Sequence, residues 1–575
     1  MAKVTIDGIV VEVENGTTVL KAAEKAGVKI PRLCYHPDQD IKGNCRICVV
    51  EIEGQRLLQP SCAFPVSDGM VVHTNSERVR KARYNILELI LAHHPADCLH
   101  CIRNHNCELQ QIVEDMSFTR DIRYPYHERG KGMDFSSPSI TRDPAKCIVC
   151  DRCAWACTHF QSCNILTKTN RGFETYLTTE YDRPFIETAC TTCGQCVQAC
   201  PVAALTIHDD TVNAWKAIAD KNLTVVAQVA PAVRVNIAEA LGEAPGTIST
   251  GRLVTAMKMM GIDYVFDTDF TADLTIMEEG TEFLHRLTDG GCLPLITSCS
   301  PGWVKFCETW YPDQLPHLST AKSPQGMFGA VIKEYFSKKI NKRPQDVFSL
   351  SVMPCTAKKY EAKRPELGRN GYQDVDCVIT VQELAQMIRS ANIDFSKLPD
   401  TPFDAPFGLG SGAGVIFGAS GGVMEAALRT VHEIVTGKVL EDIDFKQVRG
   451  FRDTREATIT IGDLDVKVCI TSGLANARAI MDLVRAGKAD YHFIEIMACP
   501  GGCIGGGGNP YRDWTKVEKR NAATYIIDAQ QCPIRQSHKN PAIQEFYKDI
   551  NVKPGEGLAH KLFHTTYTDR GNLPK

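Results

Sequence analysis

The N-terminal stretch MAKVTIDGIVVEVENGTTVL alternates apolar and polar positions with a period of two, and its DG and NG pairs fall where turns belong. That pattern predicts a β-hairpin. LKAAEKAG then shifts to helical spacing, and VRKARYNILELILAHH and ELQQIVEDM predict two further helices. Beyond about residue 210 the pattern changes. LTVVAQVAP, PLITSCSP, VFSLSVMPC, DCVITV, KVCIT and YHFIEIMACP read as short apolar strands, separated by helical stretches such as TIMEEGTEFLHRLTD and GVMEAALRTVHEIV. Strands alternating with helices predict an α/β region with parallel sheets, whose ligands sit beyond the carboxyl ends of the strands.

A chain of 575 residues is long enough for several domains, each with its own core. The formal net charge is −4, which excludes a nucleic-acid binder driven by a basic surface. No run of 18 apolar residues occurs, so no membrane span is expected. The N-terminus lacks the apolar core of a signal peptide, and a cytoplasmic location is expected.

The 25 cysteines change the picture most. An odd count with repeated C-x-x-C spacing in a long chain points to metal in a reducing compartment rather than to disulfides. Residues 1–80 carry Cys34, Cys45, Cys48 and Cys62, whose close pair is half of a plant-type [2Fe–2S] pattern. The first gap departs from that pattern, and a four-cysteine zinc site is the alternative. Residues 81–125 carry Cys98, Cys101 and Cys107. Three thiolates need a fourth ligand, and His93, His94, His100 and His105 compete for the place. Residues 138–209 carry Cys147, Cys150, Cys153 and Cys157, then Cys190, Cys193, Cys196 and Cys200 followed by proline. This is the two-cluster ferredoxin run, in which each fourth cysteine serves the other cluster. Cys147, Cys150, Cys153 and Cys200 therefore take one [4Fe–4S] cluster, and Cys190, Cys193, Cys196 and Cys157 the other. Thr158 replaces the proline of the first run, and a 32-residue spacer implies an enlarged loop.

In residues 210–575, Cys299, Cys355 and Cys499 each end an apolar strand-like run, and Cys503 follows closely. Their convergence would make one more metal site; four unrelated buried cysteines are the alternative. Cys163, Cys292, Cys307, Cys377, Cys469 and Cys532 fit no spacing rule and read as small buried hydrophobes. The glycine stretches GLGSGAGVIFGASGG and GGCIGGGGNP match neither a dinucleotide fingerprint nor a P-loop, so they read as close backbone approach to a bulky cofactor.

The segments TSCSPGW (297–303), MPCTAKKYE (353–361) and EIMACPGGCIGGGGNP (495–510) resemble the three signature motifs of [FeFe]-hydrogenases. The resemblance covers essentially the whole chain, and is nearest to the clostridial-type monomer and to catalytic subunits of NAD(P)-linked multimeric hydrogenases. KPGEGLAHKLFHTTY matches the family's C-terminal tail. The resemblance implies an α/β multidomain chain: a β-grasp [2Fe–2S] domain, a small helical histidine/cysteine cluster domain, a two-[4Fe–4S] ferredoxin-like domain and a large α/β H-cluster domain. It implies reversible H2 oxidation and proton reduction at an H-cluster. That cofactor is a [4Fe–4S] cubane bridged by a cysteine to a two-iron centre with CO, cyanide and a dithiolate, inserted by maturation proteins. Carried over, His94 joins Cys98, Cys101 and Cys107; Cys355, Cys499 and Cys503 match cubane ligands, with Cys503 bridging. Lys358 matches the donor to a cyanide, and Pro231, Pro324, Gln325, Met353, Phe417 and Met497 match the pocket lining. Cys299, Glu279, Ser319 and Glu282, ending near Arg286, match a proton relay.

One departure stands out. The family's first motif usually reads Cys-Cys-Pro, and this chain has Cys299-Ser300-Pro301. Ser300 then binds iron through oxygen, yields its place to Cys299, or is a plain substitution. Ala232 stands where a small hydroxyl residue often does. Ferredoxin or a flavin/NAD(P)-binding subunit is the implied electron partner, since the chain has no nucleotide motif. The competing readings are a low-activity hydrogen sensor, a non-catalytic electron-transfer subunit resembling the complex I arm, and an iron–sulfur assembly factor.

Overall fold

The computed structural model describes residues 1–119, 122–511 and 513–571. The N-terminal alternation forms the expected hairpin, Ala2–Ile6 against Ile9–Val13. Ala2–Ile6 also runs parallel to Met70–His73, which pairs antiparallel with Val49–Ile52, and Gln59–Pro60 closes a five-stranded sheet. The helix Val19–Lys25 buries Val19, Leu20, Ala22 and Ala23 in the same core as Val4, Ile6, Val50 and Val72. This is the β-grasp arrangement.

Two helices, Glu77–Leu91 and Glu108–Asp115, flank the second cysteine block. The ferredoxin-like unit is built on two short helices, Arg152–Trp155 and Gln195–Ala199, with Ile140–Arg142 paired to Leu205–Ile207. Its long spacer folds into an extra hairpin, Leu166–Thr169 with Tyr176–Thr179.

The remaining residues form two four-stranded sheets. In the first, Tyr264–Asp267, Thr224–Val229, Val347–Met353 and Cys377–Thr380 are all parallel. In the second, Leu295–Ile296, Phe493–Met497 and Leu464–Ser472 are parallel, and Arg455–Ile461 is an antiparallel edge. All six apolar runs singled out in the sequence are strands. Every residue of Phe493–Met497 is buried, which explains an unbroken apolar run in place of alternation. The strand Arg455–Ile461 was not foreseen, and it makes the second sheet mixed; as an edge it exposes alternate residues, including Glu456 and Thr458, and so lacks that signature.

The six leftover cysteines divide. Cys163, Cys307, Cys377 and Cys469 are buried, Cys532 is half-buried, and Cys292 is exposed, contrary to expectation. Cys292 lies in the short connection after the helix Thr268–Thr288, exposed beside the His317 ring, whose Nδ1 is 3.5 Å from its sulfur. Brief maleimide treatment of the cluster-loaded protein is expected to modify Cys292 ahead of Cys163, Cys307 and Cys469; mass spectrometry showing a buried one modified first would contradict this burial pattern.

Candidate active site

The accessory cysteines assemble into separate sets. Cys147, Cys150, Cys153 and Cys200 surround one void of about 380 Å³, and Cys157, Cys190, Cys193 and Cys196 another of about 340 Å³. Each run therefore sends its fourth cysteine across to the other set. Backbone N–H groups already point at sulfur: Val149 to Cys147, Thr192 to Cys190 and Ile165 to Cys157, each at 3.4 Å. Such donors favour the thiolates of a bound cluster and tune its potential. Cys34 and Cys45 exchange backbone N–H···S contacts of 3.4 and 3.5 Å. Within each close pair the shared hydrogen bond lowers one thiol, Cys34 or Cys48, and raises its partner, Cys45 or Cys62.

Of the four competing histidines, His94 shares a cavity with Cys98, Cys101 and Cys107. Its Nδ1 is buried with no hydrogen-bond partner among the described residues, and burial lowers the ring to about 4, keeping it neutral as a metal ligand must be. His93 Nδ1 instead bonds the His127 carbonyl at 2.9 Å, and His100 and His105 are exposed. Among the described residues no three His, Cys, Asp or Glu side chains meet at one point around a single ion; the sets stand around voids.

The carboxyl ends of both large sheets converge on a cavity enclosing about 730 Å³ between protein atoms. Pro231 follows Thr224–Val229, Cys355 follows Val347–Met353, Cys299 and Ser300 follow Leu295–Ile296, and Cys499 follows Phe493–Met497. Cys503, Pro324, Gln325, Met353, Lys358, Phe417, Met497 and Ala232 complete the wall. Burial alone would keep these thiols protonated, with Cys503 pushed up to about 12, so they ionise only against a bound metal's charge. The helices Val233–Ala240 and Pro301–Trp310 begin at the wall and direct their positive dipole ends at it. Sulfur and oxygen donors on one side, apolar walls with a single lysine on the other, fit an anionic iron–sulfur group with small ligands.

Ser300 and Cys299 face different neighbours. Ser300 precedes the helix Pro301–Trp310 yet makes no side-chain cap to it. Its Oγ instead accepts the Ala498 N–H at 3.1 Å, beside Cys499, as the cluster sulfurs accept theirs. The charged groups around Cys499 are Cys355, Cys193 and Cys503; those around Cys299 include Glu279, Lys358 and Cys503.

Glu279 is 2% exposed on the helix Thr268–Thr288. Burial pushes its carboxyl up to about 8, with partial relief from the Ser319 hydroxyl. Burial and the Glu279 charge raise the Cys299 thiol well above its ordinary value. Ser319 donates to Glu282 Oε2 at 3.1 Å, and Arg286 donates to Glu282 Oε1 at 2.5 Å. Arg286 also donates to the carbonyls of Leu318 at 2.8 Å and Pro316 at 3.0 Å, and is partly exposed.

Lys358 Nζ donates to Glu361 Oε2 at 2.8 Å and to the Cys299 carbonyl at 3.1 Å. Gln325 and Ser323 also donate to Glu361, at 2.9 and 3.0 Å. Sequence reasoning missed Glu361, although its i+3 spacing from Lys358 was a usable signal. The two cluster-bearing units meet backbone to backbone. A Cβ on Gly507 would stand 2.5 Å from the Cys193 carbonyl, and one on Gly194 would stand 3.1 Å from Gly507 Cα. Thr356 Oγ donates to the Thr192 carbonyl at 2.7 Å, and Cys499 Sγ lies 3.9 Å from the Cys193 carbonyl oxygen.

Residues 223–507 match the family described as iron only hydrogenase large subunit, C-terminal domain, and residues 515–570 match the iron hydrogenase small subunit. A 2Fe-2S cluster binding domain matches residues 1–77, the NADH-ubiquinone oxidoreductase-G iron-sulfur binding region 83–120, and a 4Fe-4S binding domain 184–206. The NADP-reducing hydrogenase subunit HndD of Solidesulfovibrio fructosivorans is 47% identical, over 100% of both chains. Iron hydrogenase 1 of Clostridium pasteurianum is 38% identical, over 99% of this chain and 100% of its own. An apo [FeFe]-hydrogenase structure from Chlamydomonas reinhardtii superposes with a TM-score of 0.57 at 40% identity, covering 63% of this chain and 99% of that one. No described helix is long and apolar enough to cross a membrane.

Proposed function

Because this chain belongs to the iron-only hydrogenase family, we propose that it interconverts H2 with protons and electrons at the cavity walled by Cys355, Cys499, Cys503 and Ser300. Cys355, Cys499 and Cys503, with Ser300, would hold the cubane, and Cys503 would bridge it to the two-iron centre. When bound, the H-cluster supplies the metal site at which the H–H bond breaks or forms. The chain's own residues do the rest. Lys358, steadied by Glu361, sets a positive charge against an anionic ligand. Met353, Met497, Phe417, Pro231 and Pro324 exclude water, and Gln325, tied to Glu361, closes the same side.

Protons move between the Cys299 thiol and the Glu279 carboxyl, then by way of Ser319 to Glu282 beside Arg286. Each of the first four carries a group that both accepts and donates. Cys157, Cys190, Cys193 and Cys196 would hold the [4Fe–4S] cluster next to the catalytic cavity, with Cys193 at the seam; such a cluster would supply the first relay for electrons. Cys147, Cys150, Cys153 and Cys200 would hold the second [4Fe–4S] relay. His94, Cys98, Cys101 and Cys107 would hold a third accessory [4Fe–4S] cluster, and Cys34, Cys45, Cys48 and Cys62 the [2Fe–2S] cluster. The name of the 47%-identical relative supports a partner subunit that handles NADP, with ferredoxin as the other acceptor. Maturation proteins would insert the two-iron centre, in the cytoplasm.

The observation that carries this reading is the meeting of four thiols and Ser300 in one cavity, with buried Glu279 among the groups facing Cys299. The test is H2 evolution from a reduced viologen by anaerobically prepared protein with the two-iron centre inserted. Sustained turnover is expected. Fully loaded protein without turnover would overturn the reading and leave a hydrogen sensor in its place.

A further inference from the structure

We propose that His564 and Glu278 form a side branch of the proton relay, joined to it at Glu282 through the Thr320 hydroxyl. The proposal rests on the hydrogenase reading above. The Thr320 N–H and hydroxyl both donate to Glu282 Oε2, at 2.9 and 3.1 Å. On its other side the same hydroxyl lies 2.7 Å from His564 Nδ1. His564 Nε2 lies 3.1 Å from Glu278 Oε2. Every link from Glu282 to Glu278 is thus within hydrogen-bond distance. The path is sheltered: the His564 side chain is 6% exposed and that of Glu278 is 0% exposed.

The fold brings these groups together from three distant segments. Glu278 and Glu282 are spaced i, i+4 on the helix Thr268–Thr288 and share a face. Residues 563–565 run along 320–322: Lys322 N–H donates to the Phe563 carbonyl at 2.7 Å, and Thr565 N–H to the Thr320 carbonyl at 2.8 Å. That pairing sets the imidazole between the two carboxylates. The other groups facing it are Tyr547, whose hydroxyl donates to Glu278 Oε1, and His560, whose ring stacks on His564 at 4.6 Å. Gly555 N–H also donates to Glu278, at 2.6 Å. A tie for the C-terminal segment needs one bond. Here both imidazole nitrogens are engaged, one with a carboxylate and one with a hydroxyl that reaches a second carboxylate.

The transfer balances simply. A proton on Glu282 passes to the Thr320 oxygen as that hydroxyl's own proton passes to Nδ1, and the Nε2 proton passes to Glu278. One proton is moved and nothing is oxidised. Glu278 is enclosed, so the branch has no exit of its own and exchanges its proton only with Glu282, whereas Arg286 marks the end that meets solvent. Its contribution is largest where protons are scarce.

The test is the pH profile of H2 evolution by the loaded full chain, with iron content and thermal unfolding measured alongside. His564→Gln and Thr320→Val are each expected to slow turnover about three- to tenfold near pH 8.5 and by less than about twofold near pH 6, as loss of an auxiliary proton donor does. Their double variant should lose no more than either alone, since both break one path. Thr320→Ser, which keeps the hydroxyl, should restore the native profile. Profiles that keep the native shape, whether unchanged or scaled evenly, would overturn the branch. Lack of turnover in the unaltered enzyme would instead overturn the hydrogenase reading.

Discussion

Glutamine in place of Glu279 is expected to slow both H2 evolution and H2 oxidation by about 10²- to 10⁴-fold, the range for losing a positioned proton-transfer group. Glutamine fills the same volume and keeps a hydrogen-bonding end, so iron content and the electron paramagnetic resonance of the clusters should stay native. The carboxyl is nearly sealed from solvent and titrates at about 8. Below that pH it is protonated and supplies protons toward Cys299. Above it the carboxylate accepts them and has none to give. H2 evolution should therefore hold steady up to about pH 8 and then fall by about tenfold per pH unit, wherever this transfer limits the rate. In the glutamine variant that break should vanish. Retention of more than about a tenth of the native rate, with the break intact, would show that protons travel another way.

The second large effect is expected at Ser300. Alanine there removes the oxygen that lines the cavity with Cys355, Cys499 and Cys503, so the proposed ligand set predicts a cubane with three protein ligands. Loss of one iron, or of the whole cluster, should follow, seen as a changed resonance signal and a lower iron count. Cysteine at 300 restores four thiolates. An alkoxide is a harder donor than a thiolate and favours ferric iron. The cysteine variant should thus have a cubane potential higher by on the order of 100 mV, within the roughly 1 V range spanned by iron–sulfur proteins. A potentiometric titration followed by resonance reads this directly. If alanine leaves both the signal and the potential native, the fourth bond belongs to another group, with Cys299 next in reach.

Much of this architecture was legible because cluster chemistry demands fixed spacing. The runs from Cys147 to Cys157 and from Cys190 to Cys200 specify both their own sites and the exchange of Cys157 and Cys200. The strands were legible because burial on both faces leaves unbroken apolar runs, as in Phe493–Met497. Arg455–Ile461 escaped notice because an edge strand with polar outward residues looks like a loop. His94 could not be distinguished from His93 by spacing; the difference is that His94 shares a cavity with the three cysteines while His93 bonds the distant His127 carbonyl. Glu278 and His564 were invisible for another reason. They are separated by 286 positions and share no motif, so only the pairing of the C-terminal segment with residues 320–322 brings them together.

The contact of Gly194 with Gly507 bears on how fast the enzyme can run. Electron tunnelling decays exponentially with the width of the gap, and at this seam two segments of the chain meet with only Thr356 laid against the glycine contact. A single methyl group on either glycine would wedge the wire away from the catalytic centre and throttle it, with every ligand still in place.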